Sequence, residues 1–116
     1  MPYCTRTDVE SLWNPSQVLS AVDDDANGSL SSAEEQWIDD AIERAAAQLD
    51  AVLEVRYDLI DLQANRWCRD ANAIFAAYFL AARKSETMPV GLAALFGWYR
   101  ESLREISASR QNVPGL

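Results

Sequence analysis

Residues 32–56 read SAEEQWIDDAIERAAAQLDAVLEVR. Trp37, Ile38, Ala41, Ile42, Ala45, Leu49, Val52 and Leu53 recur there at spacings of three and four, which lays one apolar stripe along a helix of 3.6 residues per turn. Glu34 and Glu35 stand in the first turn, where the helix dipole favours carboxylates, and Arg56 stands at the far end, where it favours a cation. Such a stripe must be buried against other elements. No run of alternating apolar and polar residues elsewhere is long enough for a sheet, so those elements are helices as well.

Downstream, residues 57–63 lack a helical partner pattern and read as a turn between antiparallel helices. A second long helix, 64–83, has a wide apolar face of Trp67, Cys68, Ala71, Ile74, Phe75, Tyr78, Phe79 and Ala82, as expected of the central and most buried helix. Residues 84–88 form a loop, and Pro89 can open a third helix, 89–106, with Leu92, Leu95, Phe96, Tyr99, Leu103 and Ile106 on one side. Upstream, Thr7-Asp8-Val9-Glu10 has the form of a capping box, starting a short helix that runs to Trp13. Asn14-Pro15 breaks it, a second short helix spans 15–22, and 23–31 is a loop. The expected fold is all-α, a small bundle of three long helices (32–56, 64–83, 89–106) with a short N-terminal helical pair. Residues 1–106 form one domain, and 107–116 a polar C-terminal tail too polar to pack alone.

A chain of 116 residues, 49% of them hydrophobic, fits one domain with one core. Its net charge of -8 argues against tight binding to a phosphate backbone, an affinity that comes from Lys and Arg displacing counterions. Cys4 and Cys68 are too few for a disulfide scaffold, the opening residues resemble no signal peptide, and no apolar run is long enough to cross a membrane. Production in a cytoplasm is the expectation. Cys68 reads as a buried helix residue, and Cys4 has no assigned role.

The sharpest local motif is DDDANGSLSSAE, residues 23–34. Asp23, Asp25, Asn27, Gly28 and Glu34 meet the calcium-loop pattern D-x-[DN]-x-[DN]-G-x5-E at every required position. In that reading Asp23, Asp25 and Asn27 supply side-chain oxygens to Ca2+, Ser29 a backbone carbonyl, Ser31 a water contact and Glu34 two oxygens. The alternative is an empty EF-hand-like turn, with Asn27-Gly28 as the turn and Ser31 or Ser32 capping the long helix. From a single loop after a short entering helix no calcium sensor is inferred, because sensing EF-hands usually work in pairs.

Catalysis is not expected. The chain has no histidine, no nucleophile elbow, no phosphate-binding glycine loop and no C-x-x-C pair. Adjacent carboxylates such as Asp39-Asp40 point to different sides of a helix and read as a solvated face. Arg66, Arg69 and Asp70 interrupt an apolar helix, either as a buried ion pair or subunit contact, or as a helix-surface pair. Trp67, Phe75, Tyr78, Phe79, Trp98 and Tyr99 read as core, but so many large side chains in so small a domain leave some exposed, marking an interface.

A Tyr3-Cys4-Thr5-Arg6-Thr7-Asp8-Val9 start and a D-x-D-x-N-G turn precede a helix carrying Ile38, Ala41, Ala45, Leu49 and Asp50. Arg56-Tyr57 follows, then Cys68, Asp70 and Tyr78 in the next helix. Over residues 3–106 this order resembles the small Mu-like prophage proteins classed with head-to-tail connectors of tailed bacteriophages, although the linker 58–65 lacks the Pro-rich character of that family. The resemblance implies an all-α structural virion protein of the neck region that is not an enzyme. It would dock as a ring, dodecameric by portal symmetry, beneath the portal protein. There it would extend the DNA channel, let DNA pass without specific binding, and present a surface to neck and tail completion proteins. The rival readings are a single-loop calcium-binding protein, an acidic module that binds one basic protein, and an enzyme built on converging carboxylates.

Overall fold

The structure, a computed structural model, describes residues 2–13, 32–83 and 90–115. Among these, five helices and no strands occur: α1 Arg6–Trp13, α2 Ser32–Leu53, α3 Leu59–Gln63, α4 Arg66–Arg83 and α5 Val90–Ser107. The expected all-α bundle of three long helices is therefore the fold. The second short helix expected at 15–22, the loop at 23–31 and the loop at 84–88 lie outside the described residues.

The helix ends differ from expectation in ways that have local causes. Thr5, two residues before Thr7, caps α1: its Oγ1 accepts from the Asp8 amide at 3.4 Å, while Asp8 Oδ2 accepts from the Thr5 amide at 2.9 Å. Glu10 is thereby freed to pair with Arg6 at 2.8 Å. Helix α2 stops at Leu53, three residues short of Arg56, as the amides of Arg56 and Tyr57 both turn back to the Leu53 carbonyl. The expected turn at 57–63 instead contains α3, because Leu62 is driven fully into the core and the Leu62 amide closes a helical turn on the Asp58 carbonyl. Helix α4 begins at Arg66 with Asn65 as its cap, the Asn65 Oδ1 accepting from the Cys68 amide at 3.0 Å.

The predicted stripes are the core. Ile38, Ala41, Ile42, Ala45, Leu49 and Leu53 of α2 are buried, and all seven residues from 71 to 77 in α4 are buried, which makes α4 the central helix. Leu92 and Ile106 of α5 are buried, with Leu95, Phe96, Tyr99 and Leu103 packed partly against the same core. Phe96 stacks on Tyr78 at 3.8 Å between ring centroids and meets Phe75 edge-on at 5.3 Å, so aromatic contacts carry the α4–α5 seam.

One polar side chain ties three segments together. Asn72 is wholly buried, and its Oδ1 accepts from the amides of Tyr3 at 2.7 Å and Cys4 at 3.2 Å, while its Nδ2 donates to the Ile42 carbonyl at 3.1 Å. The N-terminal residues thus form a strap across α2 and α4, fastened a second time by the Tyr3 hydroxyl donating to Asp50 Oδ1.

The C-terminal tail does not behave as its polarity suggests. Ser109 adopts the left-handed conformation (φ 61°), the Arg110 amide reaches back to the Glu105 carbonyl at 2.9 Å and the Ser109 amide to that of Ile106 at 3.0 Å: a Schellman turn with serine where glycine is usual. The turn sends the chain back along the bundle, where Val113 is buried and its amide donates to the Tyr57 hydroxyl. The Arg56 guanidinium, expected at a helix end, instead donates to the carbonyls of Ile106 and Gln111 and to Asn112 Oδ1 at 2.8–3.1 Å. Asn65 Nδ2 donates to the Pro114 carbonyl at 2.7 Å, and Gly115 (φ 90°) passes so close that a Cβ there would stand 3.1 Å from that nitrogen. One buried apolar residue and side chains reaching from the α2–α4 link hold the segment that was expected to need a partner.

Two substitutions probe these ties. Asn72→Leu leaves two buried amides without an acceptor and should lower unfolding free energy by about 3 kcal/mol in urea titration, given ~1–3 kcal/mol per stranded buried group. Arg56→Ala should raise amide hydrogen exchange selectively in 108–115 while leaving α4 protected, and Ser109→Gly should add about 0.5–1 kcal/mol by relieving the left-handed serine.

Candidate functional site

Of the residues expected to bind calcium, Asp23, Asp25, Asn27, Ser29 and Ser31 lie outside the described residues, and Glu34 falls in the first turn of α2. Among the described residues no group of three or more His, Cys, Asp or Glu side chains comes together as a metal site. Arg66 and Asp70 form a surface pair, 3.9 Å apart with the Arg66 side chain 85% exposed. The pair therefore lies on the helix surface and is not a buried ion pair.

Both cysteines are structural. Cys4 lies in the N-terminal strap and Cys68 in the first turn of α4, both buried and unpaired. Burial, aided by Asp8 and Asp50 respectively, pushes each thiol up to about 12, so neither is a thiolate at neutral pH. The Tyr3 phenol is likewise pushed up, first by burial and then by its bond to Asp50.

Among the described residues two concavities and one protrusion stand out. A cleft of about 300 Å3 between α1, α4 and α5 is lined by Asp8, Ser11, Arg69, Asp70, Leu95 and Tyr99 among others. Burial and the nearby Asp70 raise the Tyr99 phenol, with Arg66 partly opposing them, so it stays a neutral donor there. A slot of about 330 Å3 is lined by Trp67, Trp98, Tyr99, Ser102, Gln111 and Pro114, with Trp67 stacked on Tyr99 at 5.4 Å. Trp98, read from sequence as core, is 71% exposed: α5 presents its apolar side through Leu95, Phe96 and Tyr99, and Trp98 points away from it. The protrusion is the link between α2 and α4, where Val55 and Ile60 are more than 80% exposed. Its signal in the sequence was a β-branched apolar residue lying just off the α2 stripe.

Charge is divided as unevenly as apolar surface. Residues 1–65 hold three basic and fourteen acidic side chains, whereas residues 66–116 hold seven basic and four acidic. The acidic excess therefore belongs to the segments through α3, and α4, α5 and the tail carry a small basic excess. No nucleophile paired with a base is seen among the described residues. The arrangement offers aromatic and aliphatic surface with charged borders, which is suited to contact with protein.

Compared with known families, residues 3–113 match the one described as Bacteriophage Mu, Gp36. The chain belongs to this family. The Mu-like resemblance of the sequence is thereby borne out, and membership points to a structural component of a phage. The Bacteriophage Mu, Gp36 match begins at Tyr3, the first residue of the strap, and ends at Val113, the buried anchor of the tail, so it encloses both fastened termini. No significant match was found among curated proteins or among solved structures. No described helix is long and apolar enough to cross a membrane.

The thiols give a direct check of this interior. At pH 8 neither cysteine should react with Ellman's reagent in the native state, and both should react after denaturation. The folded state holds these protons more tightly than the unfolded one (usual value 9.0), so their contribution is fully present below pH 9 and is lost as pH rises toward 12. A melting temperature that falls across this window, and falls less in Cys68→Ala, is the expected outcome.

Proposed function

We propose that this chain is a head-to-tail connector subunit in the neck of a tailed-phage virion, docking as a ring beneath the portal protein. There it extends the DNA channel and presents a surface to neck and tail completion proteins. The observation that carries the reading is membership of a Mu phage family by a small helical domain that leaves bulky apolar side chains exposed at Val55, Ile60 and Trp98. In a domain this size such exposure lowers solubility unless another protein covers it. The reading assigns no catalytic residue, and the polypeptide works by contact alone.

The acidic first half supports the channel role. Carboxylates facing passing DNA repel its phosphates and leave it free to slide, whereas a basic lumen would hold it by counterion release. The fastened tail also fits: a subunit whose two ends are tied to its own body presents a preformed surface and loses little conformational freedom on docking. Calcium, if the 23–34 loop takes it, would brace the entry to α2 and leave the contact surfaces unchanged.

The test mixes the purified protein with portal rings from the same genome, with and without calcium, and images the product by electron microscopy. A ring of added density beneath the portal is expected in both conditions. Added density only with calcium would make the 23–34 loop part of the docking mechanism. Absence of density in both conditions would remove the connector role.

A further inference from the structure

We infer that the α2–α4 link of one copy of this chain seats in the aromatic slot of a second copy, Ile60 and Val55 entering between Trp98 and Pro114. The inference rests on the connector reading for its setting, a repeating subunit, and names the two surfaces by which one subunit would hold the next.

Three observations meet in this contact. Val55, Leu59, Ile60 and Trp98 are the large hydrophobic side chains left exposed among the described residues, and the first three share the α2–α4 link while the fourth walls the slot. The slot, at about 330 Å3, is at the small end of ligand-sized pockets (~300–1,000 Å3), which suits one or two aliphatic side chains better than an extended ligand. A tryptophan at the edge of an aromatic recess is also the side chain most often found to dominate a protein contact.

Charge selects the occupant. The link carries Glu54, Asp58 and Asp61, all exposed, and its one cation, Arg56, is committed to the tail. Asp58 makes no capping bond to α3, and it is exposed. On the other side, Arg66 precedes the slot residue Trp67 and Arg110 precedes Gln111. Arg110 is neutralised by Glu105 at 2.6 Å, whereas Arg66 only loosely faces Asp70 at 3.9 Å. An acidic apolar knob thus meets a recess bordered by the Arg66 guanidinium, which is 85% exposed against 45% for its loose partner Asp70, and the same chain supplies both. Knob and slot are built from different residues, so each copy can give its knob to one neighbour and receive that of another, the head-to-tail type of contact from which rings are built.

The test places one cysteine on each surface. Cys4 and Cys68 are buried, so Ile60→Cys and Ser102→Cys, in separate preparations, provide the reactive thiols. The two variants are mixed and oxidised, both free at high concentration and bound to portal rings. A covalent dimer several-fold above either variant alone is expected. Asp58→Arg in the Ile60→Cys copy should cut its yield about tenfold, and Arg66→Asp in the Ser102→Cys copy should restore it. Portal-bound density without this dimer would overturn the inference and leave the connector role intact. A dimer in the free protein with no portal binding would support the contact and remove the connector role. Neither dimer nor density would overturn both, as would a dimer insensitive to Asp58→Arg for the contact itself.

Discussion

The whole fold turns on a buried asparagine. Asn72 sits in the middle of the most buried helix, where a polar side chain is costly unless every bonding group is used, and here its oxygen and nitrogen are both used. A leucine could fill the same volume but could not distinguish one strap position from the next. Two amides converging on one oxygen fix the N-terminal segment to a single register against α2 and α4. The buried network specifies an arrangement that apolar packing alone would leave loose.

The same device recurs at the other end. Arg56, Tyr57 and Asn65 lie within ten residues of one another in the link between α2 and α4, and all reach the tail through its backbone. Asn65 serves twice, its oxygen capping α4 and its nitrogen holding Pro114. Start of helix and end of chain are therefore set by one side chain. The tail needs little apolar content because its carbonyls are satisfied by groups already positioned for other reasons.

This explains what could be read from sequence. Helices α2, α4 and α5 were legible because burial imposes a period of three to four that composition cannot imitate, and the central place of α4 followed from the width of its apolar face. The helix starts were displaced because several residues could cap: Thr5 and Thr7 both precede a carboxylate at the right distance, and only the strap at Tyr3 and Cys4 favours the first. Arg56 and the tail were misread because their bonds span about fifty residues, a distance at which local pattern carries no signal. The slot escaped for a related cause. Trp98 lies next to the α5 stripe, and one step along a helix, about 100°, separates a core residue from an exposed one.

What remains is why so small a domain leaves this surface open. Its core is supplied by alanines and aliphatics on α2 and α4, and α5 adds aromatic edges, so Val55, Ile60 and Trp98 could have been polar at no cost to the interior. Polar residues there would raise solubility, and the net charge of -8 already serves that purpose. Retaining apolar side chains at the two places where the acidic and basic halves of the chain come to the surface is economical only if those places meet something. In the proposed contact, a subunit with an acidic knob and an exposed guanidinium bordering a recess would satisfy that condition with its own copies. The charge that would hold free subunits apart in solution would, in that proposed contact, also set which surface faces which once they are aligned on a common support.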